Sequence, residues 1–188
     1  VTQLELLQFV ISSLERLGIS YAIVGSFASG IWGEPRMTLD IDIVVQLRGE
    51  QAAELVDAFP AGEFYVSRPA ADEAVRTYGQ FNAIHPTSGN KVDFMVVGAT
   101  SWAASQIARR RRVQLLPDLS GDVAAPDDVI LGKLLYYVEG GSDKHLRDVA
   151  GIMNRSGEAV DRAYVQQVAN EIGAGDVWQR IVEQLDVQ

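Results

Sequence analysis

The residues best placed to do chemistry are three aspartates set in apolar surroundings. Asp40 and Asp42 alternate with Leu39, Ile41 and Ile43 in the run Leu39–Val45, whose β-branched content predicts a strand. Alternate residues of a strand share a face and lie roughly 7 Å apart. Asp40 and Asp42 therefore project together, Leu39, Ile41 and Ile43 point into the core, and Val44 returns an apolar residue to the acidic face. Carboxylates held side by side on a sheet repel each other, and burying them is costly. A divalent cation offsets both effects, and Mg²⁺ takes carboxylate oxygens while keeping waters for substrate phosphates. The alternative is a half-exposed strand with both carboxylates in water, which the low strand propensity of aspartate disfavours. Asp93 lies in a second predicted strand, Lys91–Val97, where Val92, Phe94 and Val96 share one face and leave Asp93 and Met95 on the other. A third carboxylate from a neighbouring strand completes what a two-metal site needs, with ions roughly 3.5–4 Å apart. The competing reading is a strand-end aspartate paired with Lys91 or an arginine.

Gly25-Ser26 supplies the complementary chemistry. It ends a short buried strand, Tyr21–Val24, and leads into a short helix from about Phe27 to Trp32. Such a junction offers free backbone N–H groups at the positive end of a helix dipole, which suits an anion. Gly25 lets a phosphate approach the backbone closely, and the Ser26 hydroxyl can donate to a phosphate oxygen. A plain N-cap serine is the simpler reading of that residue taken alone.

The elements that must hold these groups follow from local pattern. Thr2 and Glu5 form a capping box for a first helix with Leu4, Leu7, Ile11 and Leu14 at helical spacing, stopped at Gly18. A helix is expected over Gln51–Phe59, and strand-like pieces over Phe64–Val66, Gln80–Ile84 and Lys91–Val97, the last two joined through Pro86–Asn90. A helix over Ser101–Arg109 and a strand over Val113–Leu116 come next. From Pro126 the chain becomes helical. Pro126 suits the first helical position, Asp127 and Asp128 suit the positive dipole end, and Gly140-Gly141 breaks the helix. Ser142 caps a helix facing inward through Leu146, Val149, Ile152 and Met153, and two further helices fit Asp161–Ile172 and Asp176–Leu185. The expected architecture is α/β over residues 1–120, with a helical C-terminal part over 121–188 packed on it.

Composition narrows the chemistry. The chain has 188 residues, 47% of them hydrophobic and 22% charged, so a globular core is expected. The formal charge of −9 argues against a protein that coats nucleic acid without regard to sequence. The absence of cysteine excludes disulfides, thiolate metal sites and cysteine nucleophiles, and two histidines exclude a histidine-rich zinc site. No apolar run approaches the roughly 20 residues of a membrane span. The N-terminal residues lack the pattern of a signal peptide, so a soluble cytoplasmic protein is expected. The basic run Arg109–Arg112 reads either as a cradle for a nucleic-acid backbone or as a solvated helix end that suits the C-terminal dipole, the second being preferred. Buried packing is the expected role of Trp32, Trp102 and Trp178.

Gly25-Ser26, thirteen intervening residues and then Asp40-Ile41-Asp42, with Asp93 on a later strand, resembles the signature of the DNA polymerase β-like nucleotidyltransferase superfamily. The stretch Gly33–Asp40 looks like the AbiEii-type toxin branch of that superfamily, as do the helix opening at Pro126 with Lys133 and the next helix with Arg147-Asp148. The resemblance implies a mixed β-sheet core flanked by helices. It also implies transfer of a nucleoside monophosphate from a nucleoside triphosphate to an acceptor hydroxyl, with pyrophosphate leaving. Asp40 and Asp42 would hold Mg²⁺ or Mn²⁺, Asp93 would complete the metal site and take the acceptor's proton, and Gly25 and Ser26 would hold phosphates. Lys133 and Arg36 are further candidates for the triphosphate. A snorkelling surface lysine and a carboxylate-paired arginine are their plainer readings, and Asp148 could orient Lys133 or Arg147.

The acceptor could be tRNA, a protein side chain or a small molecule, within a toxin–antitoxin system that includes a cognate toxin or antitoxin. A non-catalytic interaction protein that keeps the fold is the alternative. An unrelated Asp-x-Asp enzyme, such as an aspartyl-phosphate hydrolase, fits less well, because Asp42 is followed by Ile43-Val44-Val45 rather than a Gly/Thr loop.

Overall fold

The computed structural model describes residues 1–98 and 102–185. In chain order its elements begin with α1 (Gln3–Arg16), β1 (Ser20–Ile23), α2 (Gly25–Trp32), β2 (Asp40–Gln46), α3 (Gly49–Ala58) and β3 (Tyr65–Val66). Then follow α4 (Arg68–Thr77), β4 (Gln80–Ile84), β5 (Lys91–Val96), α5 (Trp102–Ala108), β6 (Arg111–Leu116) and β7 (Leu119–Val123). The remainder is helical: α6 (Pro126–Gly140), α7 (Lys144–Ser156), a single 3₁₀ turn (Gly157–Ala159), α8 (Arg162–Glu171) and α9 (Gly175–Leu185). The start expected at Ser101 for α5 lies outside the described residues. Two compact units result, one of residues 1–24 and 37–124, the other of residues 25–36 and 125 onward.

The first unit is built on one mixed seven-stranded sheet of order β3-β4-β5-β2-β1-β7-β6. β2 runs antiparallel to β1 and parallel to β5, and β4 runs antiparallel to β5. The pleat of β2 buries Ile41 and Ile43 completely while Asp40 and Asp42 stay partly exposed, and β5 repeats the pattern with Val92 and Phe94 inside. Phe94 packs with Phe59 and Phe81, and Phe59 with Phe9 and Phe64, so aromatic rings from α1, the sheet and the segment between α3 and β3 share one core. Each fully buried ring contributes about 2–3 kcal/mol of transfer free energy. Helix α1 starts from the expected capping box, in which the Thr2 hydroxyl accepts from the Glu5 amide at 3.2 Å. It buries Leu7, Ile11 and Leu14 but leaves Leu4 largely in water.

Several local expectations are corrected. Leu39 does not point into the core: it precedes β2 and is 62% exposed, because the inward alternation begins only where β2 gains its partners. Helix α4 fills a stretch that carries no strong apolar pattern, since its buried positions are the alanines Ala71 and Ala74; Ser67 caps it by accepting from the Ala70 amide. Strand β7 is equally faint in sequence, being Leu-Ser-Gly-Asp-Val. Only the start of the arginine run closes a helix: the Arg109 amide donates to the Ser105 carbonyl at the end of α5, whereas Arg111 and Arg112 belong to β6. Arg110 pairs with Asp122 at 2.7 Å, and Arg112 pairs with Glu15 at 2.5 Å. The same polar group holds Tyr21, whose hydroxyl accepts from the Asp122 amide while burial pushes its pKa up to about 12.

In the second unit α2 packs against α6 and α7, and α8 against α6 and α9. Pro126 opens α6 and left-handed Gly141 closes it, as expected. Asp127 and Asp128 do more than meet the dipole. Both are buried, Asp127 accepts from the Asp161 amide at 2.6 Å, and Asp128 accepts from the Tyr164 hydroxyl at 2.9 Å, which ties α8 to the start of α6. The residue flanking the start of α7 is Asp143, not Ser142. Trp178 is 1% exposed.

A Cβ on Gly33 would lie 2.7 Å from the Ile152 nitrogen and 2.8 Å from the Gly151 carbonyl carbon, both backbone atoms of α7. Gly33→Ala is expected to cost about 2 kcal/mol of stability, read as a lowered midpoint in thermal unfolding. An unchanged midpoint would mean that α7 withdraws from residue 33 without cost.

Candidate functional site

Two clusters collect the residues that the sequence singled out, one in each unit. In the first unit, the parallel register of β2 and β5 sets Asp42 directly opposite Asp93 and Asp40 opposite Lys91. On the other side of β5, Asn82 of β4 pairs with Asp93. Because the pleat alternates, Asp40, Asp42, Lys91 and Asp93 share the face opposite the buried Ile41, Ile43, Val92 and Phe94. The Lys91 ammonium lies 2.7 Å from Asp93 Oδ2 and 3.6 Å from Asp40 Oδ2. Asp93 is thus paired with Lys91, and Asp40 joins the pair. The Asp93 hydrogen bond outweighs the opposing effect of burial and, with the Asp93 and Asp40 charges, holds the lysine above its usual range. Asp40 and Asp93 keep 45% and 23% of their side-chain surface, so both carboxylates remain open to solvent.

Among the described residues, no group of three or more His, Asp or Glu side chains is gathered closely enough to hold a metal ion as it stands. The donor set is nevertheless of the right kind. Carboxylate oxygens suit a hard divalent cation, and two of them already converge on a cation, the ammonium of Lys91.

In the second unit, Gly25 opens α2 with a positive φ of 64°, a conformation that favours glycine. Ser26 follows in the first turn. Its hydroxyl accepts from Arg36 Nη2 and from Lys133 Nζ, the latter at 3.4 Å. Asp148 lies behind both cations: Lys133 Nζ is 2.7 Å from Asp148 Oδ2, and Arg36 Nε is 3.2 Å from Asp148 Oδ1. The side chains of Lys133 and Asp148 are 4% and 8% exposed, whereas Arg36 is at 36%. Lys133 is therefore a buried, paired lysine and not a snorkelling one, and Asp148 orients it rather than resting on a helix surface. Two cations against one carboxylate leave a net positive charge beside the N-terminal turn of α2, which suits a phosphate.

His145, one turn before Asp148 on α7, stacks on Tyr136 with ring centroids 5.8 Å apart. Burial, then the Lys133 and Lys144 charges, push its pKa down, with Asp148 opposing, so the ring is biased toward neutrality. Sequence reading passed over Lys91 and His145 as site groups. The signal for Lys91 was its place two residues before Asp93, hence on the same pleat face. His145 carried none, since a single helical histidine has no pattern.

No protein-family model matches the sequence, and no curated protein is significantly similar to it. Solved structures do share its fold. ANT(2")-Ia, in a complex with adenylyl-2"-tobramycin, aligns with a TM-score of 0.61 at 16% identity over 92% of this chain and 97% of that one. The lincosamide antibiotic adenylyltransferase LnuA, lincomycin-bound, gives 0.55 at 10% identity over 81% and 96%. An antigenic nucleotidyltransferase-like protein from Paracoccidioides brasiliensis gives 0.54 at 22% identity over 81% and 76%. The fold of this chain is that of the nucleotidyltransferases.

For Asp148, burial pushes the carboxyl pKa up, but the hydrogen bonds and charges of Lys133 and Arg36 outweigh it and hold the pKa below the usual value. Its stabilising contribution is therefore complete above the unfolded value, about pH 4, and is lost as the pH falls through the lower folded value. Asp148→Asn should cost about 3 kcal/mol at pH 7, because it leaves Lys133 buried without its counter-ion. Urea denaturation across pH 2–7 should also show a flatter acid limb in the variant. Parallel acid limbs in both proteins would remove Asp148 from the charge network.

Proposed function

We propose that the protein is a nucleotidyltransferase that moves a nucleoside monophosphate from a nucleoside triphosphate to an acceptor hydroxyl. The observation that carries the reading is the β2–β5 register, which aligns Asp42 with Asp93 and keeps Asp40 on their face. The likeness of fold to antibiotic adenylyltransferases supports it. Asp40, Asp42 and Asp93 would hold Mg²⁺ or Mn²⁺, which when bound neutralises phosphate charge and polarises the phosphorus under attack.

The chain's own groups have distinct tasks. Ser26, Lys133 and Arg36 donate to oxygens of the β- and γ-phosphates, and the amides that follow Gly25 add further donors. Asp148 keeps the Lys133 ammonium aimed at Ser26. Asp93 accepts the proton of the acceptor hydroxyl. The hydroxyl oxygen then bonds to the α-phosphorus, and the bond to the bridging oxygen breaks to release pyrophosphate. We assign the acceptor to tRNA, a protein hydroxyl or a small molecule such as the antibiotics of the neighbours. We place the activity in the cytoplasm, in the toxin–antitoxin setting that the Gly33–Asp40 stretch resembles. Among the described residues no helix is long and apolar enough to cross a membrane. The Lys91 pairs favour a second reading, an interaction protein without turnover.

The test is incubation with each α-labelled nucleoside triphosphate, Mg²⁺, and separate tRNA, protein and small-molecule fractions. Label should move to one fraction, and Asp40→Ala with Asp42→Ala should abolish it while thermal unfolding stays cooperative. Undiminished labelling in that double variant would refute the assignment, and silence of the unaltered protein with every triphosphate and fraction would favour the second reading. In a separate measurement, inorganic pyrophosphate should raise the pKa of His145 followed by NMR, since a bound anion offsets the Lys133 and Lys144 charges. An unmoved titration would detach the phosphates from this cluster.

A further inference from the structure

We propose that Lys91 is a built-in competitor for the cation at Asp40 and Asp93, so that this residue sets the divalent-ion concentration the protein needs. The inference rests on the carboxylate reading above and adds a role that the reading does not require. Asp40, Asp42 and Asp93 crowd negative charge onto one sheet face, and Lys91 belongs to that same face through the register Asp40↔Lys91 and Asp42↔Asp93. Its ammonium contacts two of the three carboxylates, at 2.7 and 3.6 Å. A monovalent ammonium there satisfies the acidic pair without metal and occupies the space between oxygens that a hard divalent ion would share. The two cations cannot both sit within about 4 Å of the same oxygens without strong mutual repulsion.

Lys91 is also built to leave. Its side chain is 34% exposed, and a lysine stem can carry its charge into water while the alkyl part stays on the sheet. Metal entry then exchanges one cation for another of higher charge, and the acidic face is never left uncompensated. Arginine in this place would compete in the same way, because it keeps the charge. A neutral chain of similar length would not.

The experiment titrates the full-length protein with Mn²⁺ alone, followed by electron paramagnetic resonance, with Mg²⁺ as competitor and no nucleotide. Lys91→Met should bind Mn²⁺ about tenfold more tightly than the unaltered chain, and Lys91→Gln should do the same if the methionine variant folds poorly. Lys91→Arg should stay within about twofold, and Asp93→Asn added to Lys91→Met should abolish the gain. In the unaltered protein, the ¹⁵Nζ resonance of Lys91 should shift as Mg²⁺ saturates the site. Equal affinity in the lysine, methionine and glutamine proteins, or an unmoved Lys91 resonance at saturation, would overturn the competitor role and leave the metal reading standing. Absence of Mn²⁺ binding in every variant would overturn both.

Discussion

Negative charge concentrated on one face of a sheet must be balanced, and much of the functional half of the first unit follows from how that is done. The pleat forces Asp40 and Asp42 to one side of β2, and parallel pairing brings Asp93 alongside them. In water such carboxylates would be solvated separately, but on a sheet they are held on one face, roughly 7 Å apart along a strand. Lys91 answers the problem from within the same two strands. The apolar face of those strands, Ile41, Ile43, Val92 and Phe94, is what holds the register, since a slip by one residue would turn the aspartates into the core.

The second unit meets the opposite problem. Lys133 is a buried cation in a helix whose neighbouring positions, Ile130, Leu131 and Leu134, are fully buried. A cation in such a place is tolerated only when paired, and Asp148 supplies the pair from α7. That pair costs desolvation on both sides, so its presence is better explained by the donor it aims than by stability. The Ser26 hydroxyl, with Arg36 and Lys133 both donating to it, marks where that aim points. Gly33 belongs to the same construction, because only a residue without a side chain lets the segment before Arg36 lie against the backbone of α7.

The shared fold and the individual groups contribute different things. β2 lies between β1 and β5 in the sheet, and the fold as a whole is shared with the structural neighbours. What chemistry the fold performs depends on side chains at particular positions. The candidates here are acids and one lysine on the sheet, and a serine, an arginine and a lysine around a buried carboxylate in the helical unit.

A good part of this was legible in the residues themselves. The capping box at Thr2 and Glu5, the β4–β5 hairpin around Pro86–Asn90, the opening of α6 at Pro126 and its close at Gly141 are local signals, and each is where local physics puts it. Helix α4 and strand β7 were not legible, because alanine, glycine and serine carry little hydrophobic contrast and tertiary partners alone make those segments regular. Leu39 and Ser142 misled for a related reason: an apolar residue at a strand edge and a serine before a helix are compatible with roles that their neighbours did not allow. The sequence by itself determined that Asp40 and Asp42 share a face and that Gly25-Ser26 turns the chain from a strand into a helix, since a period of two and the freedom of glycine are properties of the local chain; the helix begins two residues earlier than expected, at Gly25. Only the tertiary structure decided that Asp93 faces Asp42, that Lys91 stands between two carboxylates and that Asp148 lies behind Lys133, because those partners meet through strand pairing and helix packing between segments distant along the chain.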